Sequence, residues 1–180
     1  AQIERLCDRF VHWPDAERGV LFNLMRLRHV LSALPIPVAT DRSAAAVQCI
    51  RAELAKKPDI VVVDFPHTGV LVPDFGGVPS VMFTHNVEAE IFRRHADVAK
   101  NAAQRIVWRD QTRKMVRFEQ SELARYKAVV AIAERDRTHF ETHYGLRNVA
   151  TIPTGVNLEM YAYQAPPEDE HQRIMFSGSM

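Results

Sequence analysis

Ile60-Val61-Val62-Val63-Asp64-Phe65-Pro66-His67-Thr68-Gly69 is the stretch on which the fold turns. An isoleucine followed by three valines is stiff at χ1, crowds a helical backbone and suits a pleated strand. The run shows no apolar/polar alternation, so it fits a strand covered on both faces, and we expect it in the middle of a parallel sheet. Lys56-Lys57-Pro58-Asp59 leads in, and a polar corner with proline and glycine leads out.

On either side of this run, short apolar bursts alternate with longer stretches of helical period. The bursts at 10–13, 36–39, 60–64, 80–84, 129–133, 149–152 and 174–177 predict strands, and 18–33, 43–57, 87–100, 103–126 and 134–144 predict helices. Such alternation is the pattern of βα units: a Rossmann-like, doubly wound, mostly parallel α/β sheet with helices on both faces. Ser43 and Asn86 stand where helix caps are needed, and Gly145 can end the last helix in a left-handed conformation.

The 180 residues, 47% hydrophobic and 25% charged, fit a globular chain large enough to bury a core without disulfide or metal. Lys+Arg (23) and Asp+Glu (22) nearly cancel, leaving no global field to collect nucleic acid. Cys7 and Cys49 are too few and too far apart for a zinc knuckle or a disulfide framework, and a cytoplasmic setting is expected. There is no signal-peptide centre and no run long enough to span a bilayer. Gln164-Ala165-Pro166-Pro167-Glu168-Asp169-Glu170-His171-Gln172 reads as a linker. The expected organisation is a domain over 1–163, a hinge over 164–172 and, at 173–180, the first strand of a further domain. The lack of an initial Met and the stop after Ser177-Gly178-Ser179-Met180 suggest a piece of a longer protein.

Ligands of open α/β sheets sit beyond the carboxyl ends of the strands, so the corners after each burst hold the candidate site. His85 follows one strand directly and precedes a helix whose free N–H groups favour an anion or a hydroxyl-rich ligand. The alternative is a histidine satisfied by a neighbouring carbonyl. Asn86 and Glu88 share that corner, although Glu88 also suits the helix dipole. Asp64 and His67 can form an acid/base pair or hold turns. Arg135 can reach a cleft or stay solvated, and Thr154-Gly155 can bring main chain close to a ligand or make an ordinary bend. No G-x-S-x-G, H-E-x-x-H or G-x-x-x-x-G-K-[ST] occurs, so serine-hydrolase, zinc-protease and P-loop readings lose their support. Without an Asp-x-Asp pair for a sugar-diphosphate metal, no metal is expected. Arg105, Arg109, Arg113 and Arg117 recur at steps of four, a row that can meet an anionic membrane surface or remain solvated, with Glu119 and Glu122 diluting its charge.

Taken in order, Pro58-Asp59-Ile60-Val61-Val62-Val63, His85-Asn86-Val87-Glu88, Lys114-Met115-Val116-Arg117-Phe118-Glu119, Val129-Val130-Ala131-Ile132-Ala133-Glu134-Arg135-Asp136, Ile152-Pro153-Thr154-Gly155-Val156-Asn157 and Ile174-Met175-Phe176-Ser177-Gly178-Ser179-Met180 resemble glycosyltransferase family four. Within it the chain looks most like bacterial sugar transferases of exopolysaccharide assembly. The resemblance runs from about residue 50 to the end.

It implies the N-terminal, acceptor-side half of a two-domain GT-B fold, incomplete at both ends. In that reading a hexosyl group passes with retention from a nucleotide-sugar, a co-substrate bound mainly by a following domain. The acceptor is a polysaccharide or lipid-linked sugar at the inner face of the membrane. His85 then approaches the donor sugar and the reaction centre, and Thr154-Gly155-Val156-Asn157 lines the cleft. Two departures bear on those contacts: Ala133 stands where the family usually has serine, and Thr154-Gly155-Val156-Asn157 replaces the usual Asn-Gly-Val-Asp. Two other expectations compete, a non-catalytic doubly wound binding or regulatory module and a GT-B-shaped nucleotide-sugar epimerase.

Overall fold

The computed structural model describes residues 7–14, 19–155, 157 and 159. Four parallel strands lie side by side in chain order, β1 (Val61–Asp64), β2 (Ser80–Thr84), β3 (Ala128–Ala131) and β4 (Val149–Thr151). Val63 stands opposite Met82, Met82 opposite Val129, and Val130 opposite Ala150. Around them pack α1 (Val20–Leu27), α2 (Ile36–Thr40), α3 (Ala44–Leu54), α4 (Glu88–Asp97), α5 (Ala102–Leu123) and α6 (Glu134–Tyr144). This is the α/β, all-parallel architecture that the alternating pattern predicts.

The core forms where sheet and helices meet. Val63, Met82, Val129 and Ala131 are buried with Phe92 of α4, Met115, Phe118 and Leu123 of α5, and Phe140 of α6. Each large side chain so removed from water contributes about 1.5–3 kcal/mol. Helix ends are closed locally where the sequence offers a cap. Ser43 accepts from the Ala46 N–H, Asn101 from the Gln104 N–H at 2.9 Å, and Gly145 ends α6 at φ 70°. The Gln104 side chain reaches back to the Lys100 N–H at 3.2 Å, which makes the start of α5 reciprocal.

Several expectations need correction. Segment 36–39 is not a strand but lies in α2. Pro35 and Pro37 preset the first turn, the Ile36 N–H donates to the Gln111 side chain at 2.8 Å, and Thr40 donates back to the Ile36 carbonyl. Residues 10–13 form no strand. The helix expected over 18–33 is α1 followed by a 3-10 turn at Arg28–Leu31. Among the described residues β1 is an edge strand rather than a central one, and Val62 is 61% exposed. Among the described residues Asn86 caps no helix: Val87 is the N-cap of α4 and makes no side-chain cap bond. The linker at 164–172 and the strand at 174–177 lie outside the described residues.

Candidate functional site

Because all four strands run the same way, their carboxyl ends share one rim. Asp64 closes β1, Thr84 and then His85 leave β2, Glu134 and Arg135 follow β3, and Thr154 and Gly155 follow β4. The register aligns these exits, with Asp64 opposite Phe83, Thr84 opposite Ala131, and Ala131 opposite Thr151.

His85 is one-third exposed, and its Nε2 lies 2.7 Å from Asp64 Oδ1. Two aromatic rings fix its plane: Phe65 stacks on it at 4.1 Å and Phe83 meets it edge-on at 5.1 Å. Phe65 does so from a strained backbone, φ 67° and ψ 133°, a region that non-glycine residues rarely enter. Its N–H still donates to the Phe83 carbonyl at 3.0 Å, so the last bond of the β1–β2 ladder is kept while the chain turns away. Asp64 therefore partners His85, and the Asp64–His67 pair that the sequence left open beside a turn-holding role is not formed.

His67 turns toward α4 instead. Its Nε2 is 3.5 Å from Glu88 Oε2, close enough for an ion pair, but it is buried and makes no hydrogen bond. Glu88 is nearly buried, and its own N–H is taken from afar: Glu119 of α5 accepts from the Glu88 N–H at 2.8 Å and the Ala89 N–H at 3.3 Å. Tyr144 of α6 donates its hydroxyl to the same carboxylate at 2.7 Å. Burial pushes Glu119 up to about 7, although these three donors pull the other way. Burial likewise raises the Tyr144 hydroxyl. The helix start that follows His85 is thus held by a side chain of α5.

Arg135 is exposed and ion-paired with Glu90 of α4, and its guanidinium also lies 3.7 Å from Asp136. Glu90 additionally faces His139 at 4.0 Å. Burial, and then the neighbouring His143, lower the affinity of His139 for a proton. Asn86 is exposed without a hydrogen bond among the described residues, and Thr154 and Gly155 are exposed at the end of β4 with open space around the glycine. The structure therefore pairs His85 with Asp64 and His67 with Glu88, and joins Arg135 to Glu90. Among the described residues no hydrogen bond or ion pair ties Thr154 or Gly155 to these groups.

Sequence reasoning missed Asp64 as the partner of His85, Glu90 as the partner of Arg135, and Glu119 as the remote cap. Glu119 had a signal, since it sits among apolar positions of α5 at helical spacing. Its partners 30 and 31 residues away had none. Among the described residues no three His, Cys, Asp or Glu side chains are grouped as metal ligands would be. The chemistry on offer is an imidazole oriented by a carboxylate on an open rim, and a second histidine–carboxylate pair.

The family model described as Glycosyltransferase Family 4 matches residues 10–160. No curated protein sequence and no solved structure matches the chain.

Proposed function

Since the chain belongs to glycosyltransferase family 4, we propose that it is the acceptor-side domain of a retaining GT-B enzyme. It would position a polysaccharide or lipid-linked hydroxyl against a hexosyl group carried by a nucleotide-sugar. The nucleotide would be held chiefly by a second domain, so residues 1–180 alone would not turn over donor. The observation that carries the reading is His85, set on an open rim by Asp64 and two aromatic rings.

The role of His85 follows from its partners. A carboxylate at Nε2 favours the tautomer with its proton there, which leaves the Nδ1 lone pair to accept from a sugar hydroxyl. Phe65 and Phe83 restrict the ring to one plane, so little orientation has to be found on binding. Exposed Asn86, the next residue, adds an amide donor and acceptor, the pairing sugar hydroxyls need. Stabilising the departing diphosphate is the task of groups outside this rim.

The test is transfer by the parent protein from labelled nucleotide-sugars to membrane-derived acceptors, compared with a His85→Ala variant and with residues 1–180. Acceptor-dependent transfer that falls on the order of 10²-fold or more in the variant is expected. Donor turnover that needs no acceptor would instead indicate epimerisation. Unchanged transfer by His85→Ala would remove the proposed role.

A further inference from the structure

The long helix α5 carries Arg105, Arg109, Arg113 and Arg117, all exposed. From the sequence Glu119 and Glu122 offset them, yet both are buried. Glu119 holds the start of α4, and Glu122 is bound by Arg125 at 2.7 Å and by the Tyr126 hydroxyl at 3.0 Å. The remaining carboxylate of the helix, Asp110, is 2.7 Å from Lys114, which holds it below the usual carboxylate range. The outer face of α5 is therefore cationic, and Ile106, Val107 and Val116 are exposed among the arginines.

The 3-10 turn after α1 lies against this face. Lys114 Nζ donates to the Val30 carbonyl at 2.7 Å, and Val30, Ile106, Val107, Arg109, Arg113 and the Asp110–Lys114 ion pair line an open groove of about 550 Å³. From there an apolar stripe continues through Leu31, Leu27, Leu24 and Val20, every one more than half exposed and Leu31 at 93%. Positions 20, 24 and 27 share one face of α1, and Leu31 ends the 3-10 turn that follows it. From Arg18 to Thr40 the chain has three arginines and no Asp or Glu.

An apolar stripe bordered by arginines calls for a partner that is greasy and negative at once. A second copy of the chain would set the same arginines against one another. We propose that α1, the turn after it and the outer face of α5 form a docking surface for an anionic phospholipid bilayer. The leucines enter the headgroup boundary, and the arginines pair with lipid phosphates. Among the described residues no helix is long and apolar enough to cross a membrane, so this face lies on the bilayer rather than through it.

The inference rests on the sugar-transfer reading only for its purpose, and its test uses neither donor nor acceptor. The chain is sedimented with phosphatidylcholine vesicles with and without phosphatidylglycerol. Binding is expected only to the anionic vesicles and to weaken with salt. It should fall on the order of tenfold or more in an Arg109→Glu/Arg113→Glu variant, and also in Leu24→Glu/Leu27→Glu. These positions are exposed, and circular dichroism checks that the variants remain folded. A Leu31→Trp variant should shift its emission to the blue on anionic vesicles. Absence of vesicle binding, equal binding to neutral vesicles, or indifference to the leucine changes would each overturn the proposal. So would self-association through this face in place of lipid binding.

Discussion

At Gly69 the chain passes so close to α5 that an added Cβ would lie 2.0 Å from Glu122 Oε1 and 2.5 Å from its Cδ. Glu122 has little freedom to give way, since Arg125 and Tyr126 both hold its carboxylate. Arg125 also binds the Val72 carbonyl and lies over the Phe75 ring at 5.3 Å. Gly69→Ala should therefore destabilise the fold by about 1–3 kcal/mol, read as a lower urea midpoint with an unchanged m-value. Asp64 acts through another residue. In the parent enzyme Asp64→Asn should lower kcat about tenfold with little change in the KM for acceptor, a smaller loss than His85→Ala causes. An Asp64→Asn variant with the wild-type kcat would show that the carboxylate does not orient the imidazole.

Among the elements, α4 depends most on its neighbours. Its first N–H groups are satisfied by Glu119 rather than by Asn86 or another local side chain. Burial raises Glu119 from 4.5 to about 7, so between those values the folded protein keeps a proton that the unfolded chain releases. The contribution of this group to stability is full below pH 4.5 and is lost as pH rises through about 7. Within that window the loss is about 1.4 kcal/mol for each step of one in pH. Glu119→Gln removes the titration and keeps an acceptor. Unfolding free energies measured across this range should thus show wild type losing stability relative to the variant as pH rises, and a constant difference would contradict the assignment.

The elements also show what a sequence can reveal. Strands β1 to β4 are legible as short apolar bursts, and helices α3 to α6 because their burial imposes a period and Ser43 and Gly145 mark ends by local chemistry. The 36–39 segment misleads because β-branched residues between prolines satisfy both strand propensity and a proline-started helical turn, and the deciding bond comes from Gln111. At the site, positions on the rim are legible from chain order alone. Partners are not, because Asp64 and His67 lie three residues apart yet face different elements.

Over the whole molecule, protection should follow the sheet. Val61 and Phe65 donate to carbonyls of the β1–β2 connection and β2, which by the parallel alternation turns the Val62 and Asp64 N–H groups to the open edge of the described sheet. Hydrogen exchange should be slow at Met82 and Val129 and fast at Val62 and Asp64. Equal protection at all four would mean that the edge is paired.

The remote capping of α4 also bears on how the chain is made. Local caps can act as soon as their own turn leaves the ribosome. The helix behind His85 must wait for a carboxylate encoded 31 residues beyond the amide it secures. Its seating therefore belongs to a late, long-range step of folding, and a nascent chain paused before Glu119 would emerge with that corner still unformed.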